Sequence, residues 1–154
     1  MIQVYKKINK SLVEVEPDLV VEGYDFTDQW VHMSNPTDKE IELVCKATQI
    51  PEEYVKAALD SEERAHIEKE DNVLMAVTDI PITEEDDDKY TYSTLPFGFI
   101  SNENTIITVC LNETSIIYDL MAGRYVKDFN IHKRTRFLLQ LQYVIAKKYL
   151  QYLK

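Results

Sequence analysis

Glycine is scarce in this chain and basic residues are outnumbered by acidic ones, and each of these features excludes a class of function. The only glycines are Gly23, Gly98 and Gly123, so no glycine-rich loop is available to cradle a phosphate. Lys and Arg total 17 against 27 Asp and Glu, which gives a net charge of −10. Nucleic acid is therefore not an expected partner, because phosphate recognition needs clustered basic side chains.

Long apolar runs are also missing. No segment approaches the ~20 consecutive apolar residues that cross a bilayer, and no basic and apolar leader resembles a signal peptide. We therefore expect the chain as given to be soluble.

Cysteine and histidine are too few and too scattered to indicate a zinc site. Cys45 falls in a helical pattern and Cys110 in a strand pattern, and neither has a His or Cys at ligand spacing. His32, His66 and His132 are widely separated. We predict two buried, reduced thiols in a cytoplasmic setting.

The chain has 154 residues, of which 45% are apolar and 29% charged, as is typical of one globular domain over 1–154. We predict an α/β (α+β) fold, in which a mixed β-sheet is sandwiched by helices and a long helix comes last. Strand order is not predictable from these patterns. The predicted strands are 2–5, 12–15, 30–33, 73–77, 95–100 and 105–111, with 73–77 covered on both sides.

Helix signals occupy the intervening segments. Thr37 with Glu40 forms a capping box at the start of one helix, and Pro51 opens a second helix at its first position. A short helix is predicted over 114–122, ended by Gly123. The acidic block 84–89 is expected to be solvated.

The last predicted helix runs from about 129 to 154. Its apolar residues spread over more than one face, which predicts burial against another element or another subunit. Because it lacks a C-terminal cap, we expect the natural chain to continue beyond Lys154.

Carboxylates at the end of the second helix are the most promising chemical groups. Magnesium keeps several waters and needs only one or two carboxylates, so sparse acids at a subunit boundary can bind it weakly. Asp60, Glu62 and Glu63 are the candidate regulatory Mg²⁺ ligands. The alternative is a solvated helix end without a metal.

Other polar groups in this region favour structural interpretations. Ser61, His66 and Glu68 could be imagined as a hydrolase site, but they lie on an elbow and a strand without a base-orienting pattern. Arg64 is interpreted as the centre of an ion-pair cluster with Glu62, Glu63 and Glu68. The single tryptophan, Trp30, is predicted to be a packed strand aromatic, not a ligand-stacking residue.

The order of these segments resembles a known family. A strand ends in Asn-Pro-Thr, two short helices follow, then an acidic and basic elbow, then a buried strand, and later the two strands at 95–97 and 105–109. This arrangement is similar to the cytosolic N-terminal domain of CorA-type magnesium and divalent-cation transporters. Order and spacing carry the resemblance, since each segment alone is a weak signal.

The resemblance implies a non-enzymatic regulatory domain at the cytoplasmic face of the membrane. Family members are homopentamers, and their pore lies in C-terminal membrane helices that do not occur in this sequence. The resemblance also implies that the last predicted helix leads toward a missing stalk and membrane region, so membrane contact is expected only through that C-terminal region. Mg²⁺ held between acids of neighbouring domains would stabilise the closed state, and a charge of −10 per domain fits that logic.

One departure concerns the sensing site. The position of the family's sensing acid falls on Ala57, beside Lys56, and Asp60 is offered as its substitute. The rival hypothesis is a free-standing acidic α/β interaction module or an unrecognised small hydrolase, since an α/β layout does not by itself define function.

Overall fold

The computed structural model describes residues 1–9, 11–16, 24–87, 89–125 and 130–153, which form seven strands and four helices. The strands are β1 (Ile2–Ile8), β2 (Ser11–Val15), β3 (Gln29–Ser34), β4 (His66–Glu70), β5 (Val73–Asp86), β6 (Lys89–Ser101) and β7 (Thr105–Cys110). The helices are α1 (Asp38–Thr48), α2 (Glu52–Ala58), α3 (Ser115–Met121) and α4 (Arg134–Tyr152).

All seven strands belong to one mixed sheet in the order β2-β1-β3-β7-β6-β5-β4. Strands β3 and β7 are parallel, with Met33 opposite Val109, and the other neighbouring pairs are antiparallel. The predicted mixed sheet is confirmed. Both central strands are buried along their whole length, as expected of strands covered on both faces.

Helices cover both faces of the sheet, which confirms the predicted sandwich. The α1 and α2 side packs against one set of strand residues that includes Val31, Met75 and Val77. The α3 and α4 side packs against the alternate set, which includes Trp30 and Ala76. Strand 73–77 is therefore covered on both sides, as predicted.

Trp30 is fully buried and confirms the prediction of a packed strand aromatic. Its ring stacks on Tyr5 at 4.6 Å between centroids and meets the edge of Phe137 at 5.0 Å. The indole N–H donates to Thr108 Oγ1 at 2.8 Å, so the polar end of the ring is satisfied.

Most of the predicted helix starts and ends are confirmed by the structure. Thr37 accepts from the Glu40 N–H while the Glu40 carboxylate accepts from the Thr37 N–H, so the capping box is confirmed. Gly123 adopts a φ of 68° after α3, where a Cβ would be strained. Pro51 is the N-cap of α2 and not its first helical residue, since its ψ of 137° is extended.

The last helix, α4, is shorter than predicted. It spans Arg134–Tyr152, whereas the prediction was about 129 to 154. A turn precedes it, in which Asn130 accepts from the backbone N–H groups of His132 and Lys133. Phe129 and Lys154 lie outside the described residues. Among the helices of the described segments, none combines the length and apolarity needed to span a bilayer.

Strands β5 and β6 form a hairpin much longer than the predicted strands. Their ladder continues to the pair of Asp86 with Lys89, so the backbone of residues 84–86 in the acidic block is paired. Glu84, Asp87 and Lys89 are nevertheless exposed, in agreement with the predicted solvation of this block.

Cys45 and Cys110 are free and buried, as predicted. Cys45 lies in the cluster on the α1 side of the sheet and Cys110 in the cluster on the α4 side, so the sheet separates the two thiols. Burial, with the nearby Glu52 carboxylate, raises the pKa of Cys45 to about 11. Burial also raises the pKa of Cys110.

Candidate functional site

The elbow between α2 and β4 carries the three predicted metal ligands. Asp60 follows the end of α2, where its N–H donates to the carbonyl of Ala57 at 3.2 Å. One carboxylate oxygen of Asp60, Oδ1, accepts from the Glu62 N–H at 3.0 Å, and its carbonyl accepts from the Glu63 N–H at 3.0 Å. Asp60 therefore stabilises the turn on which all three acidic residues lie.

The three carboxylates differ in exposure. Asp60 and Glu62 are exposed and Glu63 is half-buried. Within the described residues, no group of three or more His, Cys, Asp and Glu side chains is arranged to hold a metal ion. Carboxylate oxygens are the ligands that Mg²⁺ prefers, and the Asp60 and Glu62 carboxylates are exposed, so the donor chemistry fits a weak, largely hydrated Mg²⁺.

His66 occupies the position that the sequence interpretation gave to Arg64. Its Nδ1 donates to the Arg64 carbonyl and lies 3.4 Å from Glu63 Oε1, while its Nε2 lies 3.5 Å from Glu68 Oε1. In the described part of the chain Arg64 pairs with neither of these carboxylates, so the predicted ion-pair cluster is wrong in its cation. The backbone turn at the elbow directs the imidazole, and not the guanidinium, between the two acids.

The same contacts bear on the hydrolase hypothesis. Both ring nitrogens of His66 face Arg64, Glu63 or Glu68, and Ser61 is not among these partners. Ser61 lies exposed in the turn. A serine nucleophile needs a base within hydrogen-bonding distance, and this geometry gives no support to such a pair.

An acidic groove of about 290 Å³ lies between α2 and β4, beside the elbow. Alternate residues of β4 point to the same side of the sheet, so His66, Glu68 and Glu70 share one face of the strand. That face meets α2, where Tyr54 donates its hydroxyl to Glu70 Oε2 at 3.0 Å. This hydrogen bond raises the pKa of Tyr54. The groove is lined by Glu53, Tyr54, Ala57, Glu63, His66, Glu68, Glu70 and Met75.

Ala57, where the resemblance places the family's sensing acid, lines this groove. Its neighbours Glu53 and Glu63 supply carboxylates to the same groove. Lys56, the preceding residue, forms an exposed ion pair with Glu52 at 3.0 Å. Glu70, an acid of this groove that the sequence analysis did not name, could have been found from its alternation with His66 and Glu68 along β4.

A larger cavity, of about 390 Å³, lies elsewhere, between β1, β3 and α3. His32 lines it, but the ring is buried and its nitrogens lie 2.7 Å from Thr108 Oγ1 and 3.1 Å from Ser34 Oγ. Burial, with the nearby Met1 ammonium, lowers the pKa of His32 to about 4. His32 is therefore a satisfied, neutral core residue, and we place the candidate site at the elbow and acidic groove.

The fold is similar to those of the CorA soluble domain and the ZntB cytoplasmic domain. The soluble domain of CorA from Methanocaldococcus jannaschii superposes with a TM-score of 0.74 at 21% identity, over 99% of this chain and 58% of that one. The complete CorA magnesium transporter of the same organism gives 0.72 at 17% identity, over 99% of this chain and 46% of that one. The ZntB cytoplasmic domain from Vibrio parahaemolyticus gives 0.69 at 14% identity, over 98% and 59%.

The sequence model described as CorA-like Mg²⁺ transporter protein matches residues 28–154, and this chain belongs to that family. The resemblance drawn from the order of the sequence segments is thereby confirmed. A search of curated protein sequences gives no match. The chain spans about half the length of the solved structures to which it is similar.

Proposed function

We propose that this chain is the cytosolic regulatory domain of a CorA-like magnesium transporter, and that it is not itself an enzyme. The observation that carries the proposal is the family match over residues 28–154. The acidic elbow adds support, because its exposed carboxylates are suited to a weakly held divalent cation. The domain would act at the cytoplasmic face of the membrane.

In this proposal the elbow lies at a boundary between copies of the domain, five copies being the family expectation. Asp60, Glu62 and Glu63 would hold the ion through carboxylate oxygens and bound waters. Bound Mg²⁺ supplies positive charge between acidic surfaces that otherwise repel each other. Glu53, Glu68 and Glu70 keep the adjoining groove negative, so that the surfaces separate when the cation is lost.

Thermal unfolding with and without Mg²⁺ tests the metal-binding part of the proposal. Millimolar MgCl₂ should raise the Tm of the wild-type domain or promote its assembly, when compared with NaCl at equal ionic strength. The triple variant Asp60→Asn, Glu62→Gln, Glu63→Gln should lose this response.

A matched variant separates a site from a general charge effect. Glu84→Gln, Glu103→Gln and Glu113→Gln remove three exposed carboxylates elsewhere on the described surface, and they should leave the response to Mg²⁺ intact. An equal loss in both triple variants would assign the effect to net charge alone. If Mg²⁺ changes neither the Tm nor the assembly of the wild-type domain, the proposed metal-sensing role is wrong.

A further inference from the structure

The cavity of about 390 Å³ between β1, β3 and α3, which we call the α3 cavity, contains a buried hydroxyl group without a partner. Tyr5 lines the α3 cavity and is only 4% exposed. Its ring stacks on Trp30, but none of the described residues forms a hydrogen bond with its hydroxyl. Buried hydroxyls normally have a partner, because an unmade hydrogen bond costs free energy. A molecule bound in the α3 cavity could complete this bond.

Two carboxylates stand at the rim of the α3 cavity. Glu14 is opposite Tyr5 in the pairing of β1 with β2, and Glu113 directly precedes Thr114, the N-cap of α3. Both acidic residues line the cavity and both are exposed. Burial, with the nearby Glu14 carboxylate, raises the pKa of Tyr5 to about 12, so the hydroxyl keeps its proton at neutral pH. The negative charge of the cavity therefore comes from the two carboxylates.

The other ionisable groups of the α3 cavity already have partners. The Met1 ammonium donates to the Ser34 carbonyl at 2.8 Å and lies 3.4 Å from Glu40 Oε1. His32 is neutral and bonded through both ring nitrogens. Two unpaired carboxylates at the rim of a concave surface attract cations and repel anions. The charge of this cavity thus favours a cationic ligand.

The walls of the α3 cavity indicate which kind of cation fits. Ile117 and Met121 contribute apolar surface. Mg²⁺ prefers an octahedron of oxygen ligands and waters, which such walls do not offer. An aliphatic ammonium ion has an apolar chain and three N–H donors, and these donors can be shared among acceptors on separate elements. A guanidinium is a poorer match, because its planar fork pairs best with a single carboxylate.

We infer that the α3 cavity binds a small aliphatic ammonium ion. The nitrogen would donate to the Tyr5 hydroxyl oxygen and to the carboxylates of Glu14 and Glu113, while the carbon chain would lie against Ile117 and Met121. The volume of the cavity is within the range of small-molecule sites, roughly 300–1,000 Å³. The α3 cavity lies on the opposite face of the sheet from the acidic groove, because Tyr5 and Met75 belong to the two different core clusters.

The methionines provide a readout on the wild-type domain. Met1 and Met121 line the α3 cavity, whereas Met33 and Met75 belong to the cluster on the α1 side of the sheet. In a titration with butylammonium chloride, the methyl NMR signals of Met1 and Met121 should shift along one saturation curve, and the other two should not move. 1-Butanol and sodium butyrate keep the carbon chain but lack the positive charge, so they should bind at least about tenfold more weakly.

Variants that change one group at a time locate the site. Tyr5→Phe removes only the hydroxyl and should weaken butylammonium binding by roughly two- to tenfold. Glu14→Gln with Glu113→Gln removes both rim charges and should weaken it by more than about tenfold. The matched control, Glu84→Gln with Glu103→Gln, removes two exposed carboxylates that do not line the cavity and should leave binding unchanged. Circular dichroism would verify that each variant is folded.

Four results would overturn the inference. The first is no saturable shift of Met1 and Met121 with butylammonium, or an equal response to 1-butanol. The second is a shift of Met75 in their place, which would move the ligand to the acidic groove. The third is binding by Tyr5→Phe as tight as that of the wild type, or equal weakening in the two double variants.

The fourth is a shift of the Met1 and Met121 signals by MgCl₂ at lower concentration than by butylammonium, which would make the α3 cavity a metal site. None of these results depends on Mg²⁺ binding at the elbow, so this inference and the proposed function can fail separately.

Discussion

Lys148 on α4 and Asp119 on α3 form a buried ion pair, with Lys148 Nζ 2.8 Å from Asp119 Oδ2. Arg124 approaches the other carboxylate oxygen at 3.3 Å from the solvent side. The pair joins the two helices that cover one face of the sheet. Because burial removes water from both charges, each partner depends on the other.

Replacing Lys148 with Met should therefore destabilise the domain by about 3–5 kcal/mol, since Asp119 would remain buried with only Arg124 beside it. The double variant Lys148→Met, Asp119→Leu should recover much of this loss, because no isolated charge is left. Chemical denaturation measures both effects. Lys56→Met, which removes an exposed pair with Glu52, is the control and should change stability little. If Lys148→Met lowers the free energy of unfolding as little as Lys56→Met does, the ion pair between Lys148 and Asp119 does not stabilise the domain.

Acid should destabilise the domain through His32. Its pKa is about 4 in the folded state and about 6.5 in the unfolded chain, so below pH 6.5 the unfolded state binds a proton that the folded state excludes. The free energy of unfolding should fall by up to about 1.4 kcal/mol per pH unit as pH falls from 6.5 toward 4, and be unaffected by His32 above that window.

Denaturation of wild type and His32→Gln at a series of pH values measures this contribution. Carboxylates that titrate in the same window are common to both proteins, so the difference between the two curves isolates His32. The difference should shrink steadily as pH falls from 6.5 to 4. Parallel curves would show that the imidazole can be protonated without loss of the fold.

Gly98 is needed because α2 lies unusually close to β6. A Cβ at this position would lie 2.4 Å from Ala58 Cβ and 2.9 Å from Val109 Cγ1, and none of these groups can move away cheaply. Gly98→Ala should destabilise the domain by about 1–3 kcal/mol through overpacking. Adding Ala58→Gly should return part of that loss, and Ala58→Gly alone gives the baseline. If the double variant loses as much stability as the two single variants together, the close approach of residue 98 to Ala58 is not the cause of the loss.

Local signals in the sequence predicted the helices and strands. How these elements pack against one another depends on contacts between residues far apart in the chain, which the sequence does not reveal. The Thr37 and Glu40 capping box and the burial of Trp30 follow from residues a few positions apart or from apolar pattern. The approach of Tyr54 to Glu70 does not, because it depends on how β4 pairs with β5 and on how α2 lies across them. The parallel pairing of β3 with β7 likewise leaves no local trace.

The candidate site was predicted in the same uneven way. Asp60, Glu62 and Glu63 stand next to one another in sequence, so their shared elbow could be predicted. The position of His66 between Glu63 and Glu68 could not, since it depends on a backbone turn that also directs Arg64 elsewhere. Whether Mg²⁺ binds there stays a prediction for the experiments above.

The parallel pair of β3 and β7 has a consequence for how the chain is made. Among the described strands, β1, β2 and β3 can reach the rest of the sheet only through β7, which begins at Thr105, 71 positions after the end of β3. Pairings so distant along the chain carry a large entropic cost and form slowly. A ribosome adds roughly 5–20 residues per second, so several seconds would pass between the synthesis of β3 and that of β7. During that time the edge of β3 that pairs with β7 would be uncovered. That interval is when the nascent polypeptide is most exposed to aggregation and most in need of a chaperone.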